Sequence, residues 1–315
     1  MAASPSECRR LSVKLRSSTQ AYPLREIRHG ERHTIHLAMS DPPGLPGVKH
    51  EYVNAGGLRT HLALAGAEDA PPIVLVHGWP QNWWAWRRVI PALAERFRVI
   101  APDLRGHGWT EAPRTGYEKE QLAADLLAVL DVLGIERTTW VGHDWGGWTG
   151  FLAALRAPER LERMLALCIP HPWTAPHPRQ LALLSYQGPI SLPLLGPRVA
   201  GRMVRSILQS GRGGEPLQPG DVALFAEHIS AEVTVAMYRT FLTHELVPIA
   251  LGRYAHTVLE VPTTLLVGAR DMVTKSTSAG PADGQPQLHV EALDGVAHWV
   301  PEQRPQAIID WSNQL

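Results

Sequence analysis

The most chemically pointed segment of the chain is Gly142-His143-Asp144-Trp145-Gly146-Gly147. Glycines two residues to either side of Asp144 suit a strand-to-helix turn too tight for bulky neighbours, a turn that lifts its central side chain to the carboxyl end of a sheet as a nucleophile. That position also lies near a helix N-terminus, where the dipole and free N–H groups favour a carboxylate. Three further pieces fall where an aspartate nucleophile needs them. His77-Gly78-Trp79-Pro80 follows an apolar run, so the Trp79 and Trp145 backbone N–H groups can form a two-donor oxyanion hole. Asp271 follows the apolar run 264–267, and His298, in Gly295-Val296-Ala297-His298-Trp299, precedes the last helical stretch. Asp271 is placed to fix the imidazole tautomer and balance its charge, and His298 to activate water.

A carboxylate that attacks an acyl carbon gives a labile anhydride; attack on a saturated carbon gives an ester that water can cleave. The leaving group therefore belongs on an sp3 carbon, and two reactions fit: epoxide opening and halide displacement. An epoxide oxygen leaves as a basic alkoxide and needs a general acid, whereas a halide needs only N–H donors.

Short apolar runs at 73–77, 99–103, 138–142, 164–169, 264–267 and 288–292 alternate with amphipathic stretches. Runs apolar throughout suit parallel strands covered on both faces by helices, so the fold class is α/β with a mostly parallel sheet. Leu122, Leu126, Leu127, Leu130 and Leu133 recur at helical spacing across 118–133, with Gly134 as C-cap. Segments 145–157 and 301–311 also read as helices. The interval 170–251 holds no clear strand but helix-like blocks such as 222–242, and is expected to be a helical insert in a core formed by 47–169 and 252–315. Residues 1–46 carry seven Arg or Lys against four acids with no sustained period, and are expected to be a disordered or loosely attached extension. Its basic, Ser-containing start has the composition of an organelle transit peptide; the favoured alternative is that Met39, just before the first periodic segment, is the natural start.

Lys plus Arg equals Asp plus Glu at 30 each, which argues against nucleic acid or an anionic membrane as a main partner. With 44% hydrophobic and 19% charged residues the chain can bury a large core. No apolar run reaches the roughly 18 residues of a membrane span, and no secretory h-region opens the chain. Cys8 and Cys168 have no metal-like or disulfide-framework spacing, so a reducing, cytoplasmic setting without cofactor or metal is expected.

Taken together, His77-Gly78-Trp79-Pro80, Asp103-Leu104-Arg105-Gly106-His107-Gly108, the Asp144 segment and Gly295 to Trp299 resemble the epoxide hydrolases of the α/β-hydrolase superfamily. The nucleophile, acid, histidine order is that superfamily's order. The resemblance covers residues 47–315 and implies an eight-stranded sheet with a helical cap inserted after the sixth strand. It further implies that Tyr186 and Tyr238 are the cap tyrosines that share the epoxide oxygen, and that a small-molecule epoxide is the substrate of a monomer or homodimer.

Haloalkane dehalogenases commonly carry Asn where this chain has Trp79, and fluoroacetate dehalogenases often carry Arg where it has Trp145. Dehalogenation is accordingly the alternative, and a catalytically silent binding module the third reading. His171 and His177 are weighed as substitutes for one tyrosine, and Tyr254 is read as structural. Trp83, Trp84 and Trp86 are read as packing, and Asp103, Arg105 and His107 as support for the site's edge.

Overall fold

The computed structural model describes residues 34–35, 40–174, 181–271 and 284–315. Eight strands form one sheet: β1 (Lys49–Ala55), β2 (Leu58–Ala65), β3 (Pro72–Val76), β4 (Arg98–Pro102), β5 (Thr138–His143), β6 (Leu161–Leu167), β7 (Thr263–Gly268) and β8 (Leu288–Leu293). Their spatial order is β8-β7-β6-β5-β3-β4-β2-β1, parallel from β8 through β4 and antiparallel over β2 and β1. The apolar runs of the sequence lie in β3 to β8. Alternate residues feed two cores, with Val74, Val76, Ala166 and Leu265 on one face and Ile73, Leu75, Leu165 and Leu266 on the other. Helices cover both faces of β3 to β7, which is why these strands lack polar alternation, whereas the edge strand β8 alternates half-buried and exposed residues.

The first two strands escape the apolar pattern because β1 is an edge strand with mostly exposed or half-exposed residues. Their signal is the turn. Ala55 pairs with Leu58 across Gly56 and Gly57, both at positive φ (58° and 81°), as a two-residue hairpin loop requires.

Helix α1 (Lys119–Val132) buries Leu122, Leu126, Leu127 and Leu130 and ends at Gly134, while α2 (Trp145–Arg156) begins at the β5 turn. The expected C-terminal helix is two, α8 (Val300–Gln303) and α9 (Pro305–Ser312), because Pro305 pushes Arg304 out of the helical region (φ −145°, ψ 58°).

Between β6 and β7 the described residues form helices: α3 (Leu181–Ser191), α4 (Gly196–Gln209), α5 (Pro219–Glu227), α6 (Ala231–Thr240), a π-helical turn (Phe241–Glu245) and α7 (Leu246–Ala250). The helix-like block 222–242 is broken between α5 and α6. Ser230 Oγ caps α6 by accepting the Val233 N–H at 3.0 Å, and the freed His228 carbonyl accepts the Gly108 N–H at 2.9 Å. Buried polar links tie this insert to the sheet domain. Arg87 bridges Asp221 of α5 (2.5 Å) and Glu302 of α8 (2.6 and 2.8 Å), and Lys119 of α1 binds Glu245 through Nζ at 3.0 Å and its N–H at 2.8 Å. No described helix is long and apolar enough to cross a membrane.

Most of the segment 1–46 lies outside the described residues. Thr34–Ile35 pairs antiparallel with Ala112–Pro113, and the Ser40 carbonyl accepts the Trp109 indole N–H at 2.5 Å.

Candidate active site

Asp144 stands at the carboxyl end of β5 with φ 50° and ψ −123°, a conformation costly for a residue with a Cβ and frequent where strain serves a site. The turn is as crowded as its glycines imply. A Cβ on Gly146 would sit 2.1 Å from the Val76 carbonyl oxygen, and one on Gly142 2.3 Å from that of Gly146. On the facing loop, a Cβ on Gly78 would sit 2.4 Å from Asp144 Cβ.

The Asp144 carboxylate is buried and accepts the Trp79 N–H at 3.0 Å; the Trp145 N–H also donates to it. Both expected oxyanion donors therefore meet at one side chain. Burial raises the Asp144 pKa, against the pull of His298, the two N–H groups and Arg212. The outcome is a more basic carboxylate than a solvated one.

His298 follows β8 and is almost fully buried. Its Nδ1 lies 3.2 Å from Asp271 Oδ2, and its Nε2 lies 3.9 Å from Asp144 Oδ1. Asp271, completely buried after β7, thus faces one imidazole nitrogen while the other is turned toward Asp144. His143, which the sequence reading left without a role, holds this arrangement from behind. Its Nε2 lies 2.8 Å from the His298 carbonyl, a contact that requires Nε2–H, and burial lowers its pKa to about 3, so it remains a neutral donor. Its only sequence signal is membership of the Asp144 segment.

The insert brings both tyrosines to the same place. Tyr238 of α6 is buried edge-on against Trp79, with ring centroids 4.9 Å apart, and 5.9 Å from the ring of Tyr186. Burial, then Tyr186 and Asp144, raise the Tyr238 pKa well above the usual phenol value, which keeps it a protonated donor. The Gln187 amide donates to Tyr186 Oη at 3.2 Å. Thr234 Oγ1 accepts the Trp79 indole N–H at 3.2 Å and so fixes the oxyanion loop against α6.

The supporting residues behave as supports. Asp103 accepts the Trp83 N–H (2.7 Å) and the Trp109 N–H (3.1 Å) and meets His61 Nδ1 at 2.7 Å; Arg105 makes two 2.8 Å bonds to Asp125. His107 Nδ1 lies 3.1 Å from the Arg105 carbonyl, and burial lowers its pKa to about 3. Trp83 and Trp86 are buried in the core, and the Trp84 indole donates to Asp221 at 2.9 Å. Tyr254 donates to Glu120 at 3.1 Å. His171 packs beside Trp173, and His177 lies outside the described residues.

Cys168, Asp271 and His298 offer atoms within 4.8 Å of one another, the spacing of a metal cluster. The Cys168 thiol donates to the Ala297 carbonyl and accepts the Gly268 N–H, each at 3.4 Å, and burial raises its pKa well above normal. The thiolate a metal would require is therefore disfavoured.

Residues 71–305 match the family model described as alpha/beta hydrolase fold. The soluble epoxide hydrolase of Corynebacterium sp. (strain C12) is 45% identical over 120 residues, 38% of this chain and 41% of that protein, so the match spans under half of that relative's length. Human epoxide hydrolase 4 is 27% identical over 318 residues, 94% of this chain and 86% of that protein. Among solved structures, epoxide hydrolase CorEH without ligand superposes with a TM-score of 0.73 at 28% identity, over 85% of this chain and 98% of that one. Because the family match runs from the start of β3, below the oxyanion loop, to the helix after His298, it takes in Asp144, Asp271 and His298 together, and the chain belongs to the α/β-hydrolase fold family.

Proposed function

We propose that this chain is an epoxide hydrolase that converts a small-molecule epoxide to a vicinal diol through an ester on Asp144. In the first step an Asp144 oxygen attacks a ring carbon, and the departing oxygen takes a proton from Tyr186 or Tyr238. In the second, His298, oriented by Asp271, takes a proton from water, and the hydroxide adds to the Asp144 carbonyl carbon. The resulting oxyanion is held by the Trp79 and Trp145 N–H groups. One observation carries the reading: a carboxylate at the elbow tip receives the Trp79 N–H at 3.0 Å with the imidazole 3.9 Å away and two phenols at hand. The relatives named epoxide hydrolases support it. The domain division follows: a core of 47–169 and 252–315, and residues 170–251 as the cap that supplies the phenols.

The test is to replace His298 with Gln, add a reactive epoxide and weigh the intact protein. An adduct of epoxide mass on the Asp144 peptide is expected, since alkylation survives while water activation is lost. No adduct with any of a panel of terminal, aryl and fatty epoxides refutes the scheme.

Dehalogenation keeps a place because of one atom. The Trp145 indole N–H is buried without a hydrogen-bond acceptor among the described residues, a donor that a departing halide could use. Halide release from simple haloalkanes that survives removal of both tyrosine hydroxyls would favour that reading over ours.

A further inference from the structure

Arg212 has no role in the scheme above, yet the fold goes to some length to place it. Its side chain is buried, at 9% relative exposure, and no carboxylate lies within ion-pair distance among the described residues. Its Nε has no hydrogen-bond partner there. A buried guanidinium without a paired acid is costly, so its retention points to use elsewhere.

The backbone that presents it is also strained. Arg212 has φ 47° and ψ 41°, the left-handed region, in the turn Gly211–Gly213 between α4 and α5. The Gln303 side chain fastens that turn to the histidine loop: its amide donates to the Gly211 and Glu215 carbonyls, both at 3.1 Å, while its carbonyl accepts the Ala297 N–H at 3.0 Å. A Cβ on Gly214 would fall 2.4 Å from Gln303 Nε2, so the two surfaces are in close contact. Strain held in place by surrounding contacts is the mark of a functional position.

The guanidinium carbon lies 5.1 Å from the centroid of the Tyr186 ring and 5.9 Å from that of Trp299, the residue after His298. Burial alone would lower the Arg212 pKa; its interactions with Tyr186, Tyr238 and Asp144 outweigh this and raise it. The cation therefore belongs to the cluster of groups whose charges change during the proposed reaction. Before attack, Asp144 bears the negative charge. On attack, a C–O bond forms between Asp144 and the substrate carbon, the ring C–O bond breaks, and its electron pair passes to the ring oxygen. If Tyr186 gives its proton to that oxygen, the charge comes to rest on a phenolate beside Arg212. The proton that His298 takes from water later restores the phenol.

We infer that Arg212 is a positioning residue for ring opening, a fixed cation that stabilises the charge transferred from Asp144 to the Tyr186 oxygen. Charge count favours this role over capture of an anionic substrate. The single guanidinium faces the Asp144 carboxylate with Asp271 behind it, and a substrate carboxylate would add a further negative charge to the cluster. The inference rests on the reading of Tyr186 as a proton donor.

The experiment is single-turnover tryptophan fluorescence, resolving ester formation from ester hydrolysis, with styrene oxide and its para-carboxylate as probes. Replacing Arg212 with Met should slow ester formation about 100-fold for both probes and leave hydrolysis of the ester unchanged. Arg212→Lys, which keeps the charge and guards against misfolding of the Met variant, should recover part of the loss. In a Tyr186→Phe background Arg212→Met should have little further effect. Equal slowing of both steps, a loss confined to the carboxylate probe, or full additivity with Tyr186→Phe would each overturn the inference. If Tyr186→Phe alone leaves ester formation at the parent rate, the tyrosine reading fails as well. If it slows ester formation while both Arg212 variants keep the parent rate, only the role given to Arg212 fails.

Discussion

Adding a single methyl group at Gly78 tests how closely the oxyanion loop is fitted to the nucleophile. An alanine Cβ there would lie 2.4 Å from Asp144 Cβ, 2.6 Å from Asp144 Oδ2 and 2.7 Å from the His143 carbonyl oxygen. Ordinary contact with a Cβ starts near 3.4 Å, so Gly78 and Asp144 must separate by about 1 Å or the side chain must swing aside. Asp144 has little freedom to swing, since its backbone is pinned between the Leu167 carbonyl, which accepts its N–H at 3.0 Å, and the first turn of α2, whose Gly147 and Trp148 N–H groups its own carbonyl accepts. The strain therefore falls on the loop that carries Trp79, and its 3.0 Å bond to Asp144 opens. A misplacement of this size costs about 100-fold in rate, and overpacking of this kind about 1–3 kcal/mol of stability. Gly78→Ala is thus expected to fold, to melt lower, and to form diol about 100-fold more slowly on the best substrate of the parent protein. Single-turnover kinetics beside a urea titration make the check. A Gly78→Ala protein with parental turnover would mean that neither the Trp79 donor nor the seating of Asp144 matters, and the geometric account of the site would fall with it.

Asp271→Asn should leave the imidazole in the wrong tautomer and slow ester hydrolysis by about four orders of magnitude, so the alkyl-enzyme should accumulate in mass spectra of the variant during turnover. The pKa of Asp144 is raised in the folded state, so its ionised form opposes folding: stability is greatest below the ordinary carboxylate pKa and is lost as pH rises through the folded value. Asp144→Asn should accordingly raise the melting temperature at pH 7 while keeping the acceptor for the Trp79 N–H, and the advantage should vanish near pH 3; equal gains at both pH values would contradict the assignment of burial as the cause. Lys119, fully buried, is partnered by Glu245 at 3.0 Å. Glu245→Gln should cost about 3–5 kcal/mol in urea unfolding, and Lys119→Met in the same chain should return most of it.

How much of this was legible beforehand follows from the range over which each cause acts. The elbow could be read because part of its constraint is local: the clash that demands glycine at 142 comes from the Gly146 carbonyl within the same turn, although the one at 146 comes from the Val76 carbonyl of the neighbouring strand, and the central strands announce themselves because both faces are buried. Tyr186 and Tyr238 were located by resemblance, since nothing in the pattern of an amphipathic helix tells a phenol aimed at a nucleophile from one packed between helices. The break between α5 and α6 was missed because Ser230 reads as an ordinary polar position until its hydroxyl is seen to cap Val233. Arg212 lay further out of reach. Its side chain is held at the tyrosines by a left-handed turn that Gln303 fastens from 92 residues away, and a solvated arginine between glycines has the same local sequence.

The same separation of scales explains why the triad and the insert carry different information. Asp144, Asp271 and His298 each follow a parallel strand of one sheet, so their mutual distances are set by strand spacing and the turns at one sheet edge, and any chain with this sheet and these turns inherits the carboxylate–imidazole pair. What the pair can act on is decided by groups arriving from the other side, and these are positioned by side-chain bonds across the boundary: Thr234 to Trp79, Asp221 to Arg87, Glu245 to Lys119, and Gln303 to the Arg212 turn. Two of the four, Asp221 to Arg87 and Glu245 to Lys119, are ion pairs with low exposure, where loss of one partner is costly. Shifts of the insert by an ångström would thus be resisted at several points at once, which is what the proposed sharing of one epoxide oxygen between two phenols demands. Variation in substrate choice among chains of this fold should on this argument track the residues at these crossing points more closely than the residues of the sheet.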